Sequence, residues 1–331
     1  MHRTRSSRRH AVALPLIALL IYGCLGCSRL RPLDELRVEL GTTGELLRIG
    51  EQQLYLERRG EGEPVVLVHG LGGSSYTWRK VMPALAREYD VLAPDLNGFG
   101  LTDRPEDPEA YSREGQVRLL LRMLDTLGID SAHFVAHSYG ASLAMTLAAR
   151  HPERVRSMVL VDAAGPDYPL ERRRWLANIK PLVWFYARGG GLRDARIARK
   201  LRRAYHDDAL VTEEVVGAYV SRMRVEGSVD AYRKMTRPRR SVPRETIRYA
   251  DLNVPILVVW GQEDQLIRIS TGEYYSSMLP DYRFVSIDGA GHFPMEEKPA
   301  EFLKHVRRFL GDHAERAAAA PVVPESVRTS R

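Results

Sequence analysis

Ser138 lies in the segment whose residues are best suited to nucleophilic chemistry. Residues 132–136 are mostly apolar and predict a buried strand, and the small residues of 139–150 predict a helix directly after it. A serine at such a sharp turn needs small neighbours, and Ala136 and Gly140 are small. The start of the helix would also direct N–H groups and the positive end of its dipole towards negative charge on a substrate. Ser138 is therefore a candidate nucleophile.

Three further loops follow apolar runs that predict strands. A glycine-rich loop follows the run that begins at Pro64, an acidic loop containing Asp264 follows residues 255–260, and a loop containing His292 follows residues 282–287. Each loop occupies the end of a predicted strand. The glycine-rich loop reads His69-Gly70-Leu71-Gly72-Gly73.

Strand-like runs alternate with helical patterns between about residues 50 and 310, which predicts a parallel sheet covered by helices on both faces. Residues 31–164 and 251–310 would be the two parts of this core. Residues 165–250 contain helical patterns without a convincing strand, and we expect them to form an inserted cap. The cap is basic, with 20 Lys and Arg against 10 Asp and Glu between Gly165 and Arg248. The last helix is predicted to end at Leu310, and residues 311–331 to form a flexible tail.

The segment around Ser138 resembles the nucleophile elbow G-x-S-x-G of the α/β-hydrolase fold, with Ala136 in place of the first glycine. The loops with Asp264 and His292 resemble the acid and histidine loops of that family, and the chain order serine, aspartate, histidine is the one expected for it. On these segments the chain resembles α/β-hydrolases with a helical cap. The resemblance implies a mostly parallel central sheet flanked by helices and a Ser138-His292-Asp264 triad. Residues 155–161 also predict a strand, and Asp162 directly after it is the alternative acid, since some members of the family place the acid there.

The same resemblance implies an oxyanion hole made by the backbone N–H groups of Leu71 and Tyr139. Ser138 would attack a carbonyl, His292 would transfer the proton, and water would hydrolyse the acyl-enzyme, so no cofactor is expected. His69 and His137 are interpreted as structural.

A small-molecule carboxylic ester is the expected substrate, as in esterases and lipases of this family. A serine nucleophile argues against haloalkane dehalogenases and epoxide hydrolases, which use aspartate. Carbon–carbon bond hydrolases of aromatic degradation keep the triad and the cap and are the alternative, and a non-catalytic binding protein on this fold is another. Within the cap, the aromatic residues Trp184 and Phe185 are candidates for lining the substrate pocket.

Composition excludes several other classes. Hydrophobic residues make up 44% and charged residues 27% of the 331 residues, which is typical of globular proteins. The net charge of +7 arises mainly in the cap and the N-terminus, with no nucleic-acid motif beside it, so no nucleic-acid partner is expected. No spacing of His, Asp, Glu or Cys indicates a metal site, and no dinucleotide motif follows a strand.

The N-terminus predicts export. Four arginines in the first ten residues precede an apolar run of 12 residues, Ala11 to Tyr22, which is too short for an ordinary membrane span. The run ends near Cys24 and Cys27, the only two cysteines, in a sequence that resembles a bacterial lipobox. We expect residues 1–27 to be a signal peptide with a lipobox, and either cysteine to be lipidated. The protein would then be a lipoprotein of the cell envelope, bound to the membrane by that anchor. This location argues against the carbon–carbon alternative, because ring-cleavage products are normally handled inside the cell.

Overall fold

An eight-stranded sheet organises the computed structural model, which describes residues 30–40, 43–165, 194–236 and 247–319. The strand order is β1-β2-β4-β3-β5-β6-β7-β8. β2 pairs antiparallel with both β1 and β4, and every other neighbouring pair is parallel. The predicted fold class, a mostly parallel sheet flanked by helices, is confirmed. The strands are β1 Glu45–Ile49, β2 Gln52–Arg59, β3 Glu63–Val68, β4 Tyr89–Pro94, β5 Ala132–His137, β6 Val155–Val161, β7 Ile256–Gly261 and β8 Tyr282–Ile287.

Helices cover both faces of the sheet and bury two separate hydrophobic clusters against it. This arrangement explains why the central strands are almost wholly apolar: a strand with a helix on each side has no face in water. The helices are α1 Leu33–Glu39, α2 Met82–Leu85, α3 Arg113–Thr126, α4 Tyr139–Arg150, α5 Asp194–Ala204, α6 Glu213–Met223, α7 Ser228–Thr236, α8 Ile269–Ser276, α9 Pro294–Glu297 and α10 Pro299–Ala319.

Parallel strands bring the candidate residues to one edge of the sheet. β3, β5, β6, β7 and β8 run in the same direction, so their carboxyl ends lie side by side. The loops that leave these ends carry Leu71, Ser138, Asp162, Asp264 and His292. The crevice outside the carboxyl ends of parallel strands is where open α/β sheets bind their ligands.

Some helix boundaries differ from the predicted ones. α10 continues to Ala319, so the predicted end at Leu310 was wrong, and the segment expected to be a tail begins as helix. The alanines that follow Arg316 are the strongest helix formers and explain the extension. Helix α3 begins after Ser112, whose hydroxyl caps it by accepting a hydrogen bond from the Gly115 N–H at 2.8 Å.

Three helices, α5 to α7, occupy the described part of the predicted cap, 194–236, and no strand lies in that part. Helices α5 and α6 pack through their own apolar cluster, to which Tyr76 and Phe293 of the core also contribute, whereas Ala231 and Met235 of α7 join a cluster against the sheet. Trp184 and Phe185 of the predicted pocket, and Cys24 and Cys27 of the predicted lipobox, lie outside the described residues. Within the described ranges, no helix has the length and apolar composition needed to cross a membrane.

Helix α4 packs against strand β3 closely enough to require glycine at its second position. A Cβ atom on Gly140 would lie 2.6 Å from the backbone carbonyl oxygens of both Val68 and His69. Backbone atoms inside a sheet cannot move aside cheaply, so a methyl group there would push the helix away from the strand.

Replacing Gly140 with alanine should therefore lower the free energy of unfolding by about 1–3 kcal/mol. The matched control is Gly217→Ala in helix α6, where no atom lies within 4 Å of the new Cβ. That substitution should raise stability by up to about 1 kcal/mol, because alanine favours the helix. Urea unfolding followed by circular dichroism would measure both, and equal effects at the two positions would contradict the packing argument.

Candidate active site

Ser138 occupies a strained turn between β5 and α4. Its backbone lies at φ 51° and ψ −116°, which is uncommon for any residue other than glycine. Three backbone hydrogen bonds hold it there: the Ser138 N–H donates to the Val161 carbonyl at 2.9 Å, and the Ser138 carbonyl accepts from Ala141 and Ala164. The neighbouring strand β6 thus helps to fix the turn.

A continuous hydrogen-bond relay joins the three predicted triad residues. The Ser138 hydroxyl and His292 Nε2 are 3.0 Å apart, and His292 Nδ1 and Asp264 Oδ2 are 2.7 Å apart. With the Nδ1–H donating to the carboxylate, Nε2 is left to accept the serine proton. The structure therefore brings together all three side chains in the geometry that proton removal from a serine requires.

Backbone groups orient the acid and the histidine. Asp264 Oδ1 accepts hydrogen bonds from the N–H groups of Leu266 and Ile267, at 2.7 and 3.1 Å, which leaves Oδ2 to face the imidazole. The His292 N–H donates to the carbonyl of Ala204, the last residue of cap helix α5, at 2.7 Å. The position of the histidine therefore depends on the cap as well as on the sheet.

Leu71 and Tyr139, the residues of the predicted oxyanion hole, border the same cavity as Ser138. The loop with Leu71 is tied down by His69, whose Nδ1–H donates to the Gly70 carbonyl at 2.8 Å while Nε2 accepts from the Leu96 N–H at 3.0 Å. This arrangement matches the structural interpretation of His69. The assignment of the oxyanion hole itself stays a prediction.

A cavity of about 270 Å³ lies above Ser138 and His292. Its walls come from the loops at the sheet edge and from cap helices α5 and α6. Most of the wall is apolar, and Lys200 is the only Lys or Arg among the described residues that line it. The apolar contributors are Ile197, Leu201, Ala204, Met223, Leu266, Ile267 and Phe293.

His137 also lines this cavity, although its position before Ser138 indicated only a structural role. Its Nε2 lies 2.7 Å from the His292 carbonyl oxygen and donates to it, and its ring lies 4.7 Å from the His292 ring. Burial, helped by the neighbouring His292, lowers the pKa of His137 well below its usual value. The ring is thus held neutral, and it braces the histidine loop without adding a competing charge.

A buried carboxylate that the sequence analysis did not identify joins the cap to the core. Glu296 is fully buried and accepts hydrogen bonds from the hydroxyls of Tyr205 and Tyr219, at 2.6 and 2.5 Å. Arg79 forms an ion pair with it at 2.5 Å. Burial and the Glu296 charge raise the pKa of Tyr219, which therefore remains a hydrogen-bond donor.

Glu297 makes a second connection beside the first. It accepts hydrogen bonds from the backbone N–H of His206 in the cap, at 2.7 Å, and of Gly291 in the histidine loop, at 2.8 Å. The two adjacent glutamates thus bind the end of helix α5 to the loop that carries His292. Paired acidic residues directly after a histidine loop were the only signal in the sequence.

Asp162, the alternative acid, lies beside the relay and does not form part of it. Its carboxylate oxygen, one from Asp264 and a ring nitrogen of His292 lie within 4.8 Å of one another, and all three residues are buried. Because Asp264 already accepts from His292 Nδ1, the described contacts give the role of orienting acid to Asp264. The same three residues are the group in the described chain whose side-chain atoms lie close enough to hold a metal ion. Two of the three, Asp264 and His292, already pair with each other in the relay.

Comparisons with known proteins place this geometry in context. Residues 63–299 match the family model described as alpha/beta hydrolase fold. The chain is 31% identical over 274 residues to the 2-hydroxymuconate semialdehyde hydrolase of Pseudomonas sp. (strain CF600), covering 78% of this chain and 90% of that protein. It is 29% identical over 276 residues to a 2-hydroxy-6-oxo-2,4-heptadienoate hydrolase of Pseudomonas putida, covering 81% and 96%. A solved meta-cleavage product hydrolase from Pseudomonas fluorescens IP01 superposes with a TM-score of 0.67 at 29% identity, covering 82% of this chain and 98% of that one.

The relay predicts selective reaction of Ser138 with a fluorophosphonate probe. Ser138→Ala should abolish labelling, and His292→Ala should slow it by about 10²–10⁴-fold, because the general base is lost. Ser142→Ala is the matched control: this serine lies one helical turn further on, is buried and donates its hydroxyl to the Tyr139 carbonyl. Labelling rates measured by mass spectrometry would test the relay, and continued labelling of Ser138→Ala at the parent rate would contradict it.

Proposed function

Because the chain belongs to the alpha/beta hydrolase fold family, we propose that it is a serine hydrolase whose Ser138 attacks a ketone and whose reaction breaks a carbon–carbon bond. The family resemblance stated from the sequence is confirmed. The hydrogen-bond relay from Asp264 through His292 to Ser138 is the observation that carries the proposal. It supports catalysis and leaves the non-catalytic alternative without a supporting observation.

The relatives favour the carbon–carbon alternative over the carboxylic ester that the sequence analysis preferred. The compounds in two of their names, 2-hydroxymuconate semialdehyde and 2-hydroxy-6-oxo-2,4-heptadienoate, contain a carbonyl, a diene and a carboxylate but no ester. Hydrolysis of such a compound at its carbonyl must break a bond between two carbons. We extend this substrate class, a dienoate with a distal oxo group, to the present chain.

The proposed reaction uses each relay residue in turn. The Ser138 oxygen bonds to the carbonyl carbon while His292 Nε2 takes the hydroxyl proton, and the carbonyl electron pair moves onto its oxygen. Hydrogen bonds from Leu71 and Tyr139 N–H would stabilise that oxyanion. For the carbon–carbon bond to break, the 2-hydroxydiene must first tautomerise to its 2-oxo form: the hydroxyl proton is lost and the carbon next to the distal carbonyl gains one. When the carbonyl then re-forms, the bond to this now saturated carbon breaks, and its electron pair is delocalised into the conjugated 2-oxo acid as a dienolate. His292 gives its proton to the dienolate, and water hydrolyses the remaining acyl-Ser138 ester.

The cavity suits such a substrate. Its apolar wall would cover the conjugated chain and exclude water from the oxyanion. Lys200, at the cap side of the cavity, would attract the carboxylate at the far end of the substrate. An ester with an apolar acyl chain would meet the same wall and the same relay, and it is the second candidate.

The direct test compares the two substrate classes on one preparation. We expect kcat/KM for 2-hydroxy-6-oxo-2,4-heptadienoate to exceed that for every p-nitrophenyl ester from acetyl to decanoyl. Loss of the conjugated chromophore would report the first reaction and nitrophenolate release the second, with Ser138→Ala as the background. If esters were cleaved rapidly and the dienoate no faster than this background, the hypothesis of a carboxylic ester hydrolase would replace the proposal.

Lys200 offers a sharper test of how the carboxylate is bound. Lys200→Met should raise KM for the dienoate about two- to fivefold, the effect of about 0.4–1 kcal/mol that an exposed charge contributes. Turnover of a neutral ester should stay nearly unchanged, and Lys200→Arg should restore most of the dienoate KM. Arg202→Met is the matched control, since Arg202 is an exposed cation on the same helix that does not line the cavity. An equal loss with both methionine variants would argue for a general charge effect.

A further inference from the structure

Asp162, beside the relay, combines full burial of its carboxyl with an unusual backbone conformation. It follows the last residue of β6 and is fully buried. Its backbone φ is 41°, and Ser138 is the only other non-glycine residue with a positive φ in the described part of the chain. Such a conformation costs about 1–3 kcal/mol and persists only where surrounding contacts enforce it. Two contacts do so here: the Asp162 N–H donates to the Val259 carbonyl at 3.0 Å, and Oδ1 accepts from the Gly261 N–H at 2.9 Å.

The second carboxyl oxygen of Asp162 has no N–H or O–H donor within reach. Oδ2 is buried and lacks a hydrogen-bond partner, and the Asp162 carboxyl lies beside the side chains of Asp264 and His292, with Glu297 nearby. An unpartnered carboxylate oxygen facing a second carboxylate would be strongly unfavourable. A proton on one of the two carboxyls removes the repulsion and converts the contact into a hydrogen bond.

The proton belongs on Asp162, because the two carboxyls differ in their donors. Asp264 accepts from two backbone N–H groups and from His292 Nδ1, three donors that favour its ionised form. Asp162 accepts from one. Burial, followed by the neighbouring Asp264 charge, also raises the pKa of Asp162 well above its usual value.

We propose that the Asp162 carboxyl carries a proton and donates it from Oδ2 in a hydrogen bond to Asp264, so that it positions the carboxylate that orients His292. The inference rests on the proposed function, because it assigns Asp264 to the triad. Asp162 contacts the acid and not the substrate, and it is therefore a positioning residue. Its strained backbone has a reason on this view: it points the carboxyl back from the end of β6 towards the neighbouring loop after β7.

The first test detects the proton on Asp162 through its effect on the pH dependence of the protein's stability. A carboxyl whose pKa is raised in the folded state binds its proton more tightly there than in the unfolded chain, so stability falls as pH rises above about 4, the ordinary value, until the folded-state pKa is reached. Asp162→Asn keeps an acceptor for Gly261 and an N–H donor for Asp264 but does not titrate. Its Tm relative to the parent should therefore rise by about 2 °C for each pH unit above pH 4. Asp281→Asn, which removes an exposed carboxyl, should show no such trend.

The second test examines whether Asp162 positions Asp264. It measures the rate at which Ser138 reacts with a fluorophosphonate, which requires no natural substrate. Asp162→Asn should label within about threefold of the parent, whereas Asp162→Val, which offers no donor, should label about 10–100-fold more slowly. Equal rates for these two variants would overturn the positioning role. A Tm difference that did not vary between pH 4.5 and 9 would overturn the proton assignment, and this comparison remains available if the valine variant fails to fold. Failure of the parent itself to label would instead count against the proposed function.

Discussion

The turn between β5 and α4 imposes the constraint on which the rest of the site depends. Ser138 can present its hydroxyl at the sheet edge only if its backbone adopts a left-handed conformation, and that conformation is held by hydrogen bonds from the adjoining strand. The close approach of α4 to β3, which leaves no room for a Cβ on Gly140, fixes the direction of the helix. The position of the serine is therefore set by the sheet, and the apolar strands supply rigidity as well as stability.

The histidine loop is constrained from a second side, by the cap. Ala204 accepts the His292 N–H, Glu297 joins His206 to Gly291, and His137 donates to the His292 carbonyl. These contacts make the end of helix α5 part of the relay's support. Because α5 also lines the cavity, the cap couples substrate binding to the position of the general base. Any shift of α5 would move both the cavity wall and His292.

Prediction from sequence succeeded where one local pattern determines one local structure. β6, β8 and α4 begin and end where their apolar or small-residue runs predicted, and the serine, aspartate and histidine loops lie at the strand ends that carry them. Contacts between distant segments were not predictable in this way. The buried network of Glu296 with Tyr205 and Tyr219, and the proximity of Asp162 to Asp264, bring together positions far apart in the chain. No periodic pattern in the sequence predicts such contacts.

The substrate class could not be predicted from local sequence patterns, and the reason is chemical. Attack on an ester and attack on a ketone need the same oxygen nucleophile, the same base and the same stabilised oxyanion, so the relay residues are common to both reactions.

The reactions differ in where the electron pair of the broken bond goes. An alkoxide accepts it on oxygen and needs only a proton from His292, whereas a carbon leaving group needs a conjugated acceptor. In the 2-oxo tautomer of the proposed dienoate, that acceptor belongs to the substrate, and the protein has to hold the departing carbon near His292. In the sequence analysis the predicted lipid anchor argued against the carbon–carbon alternative, but a signal for cellular location carries no information about the shape or charge of the cavity. Any preference for a dienoate or an ester must therefore arise in the cavity wall formed by α5 and α6. The apolar surface and the charge of Lys200 are the features of this wall that can distinguish the two substrates.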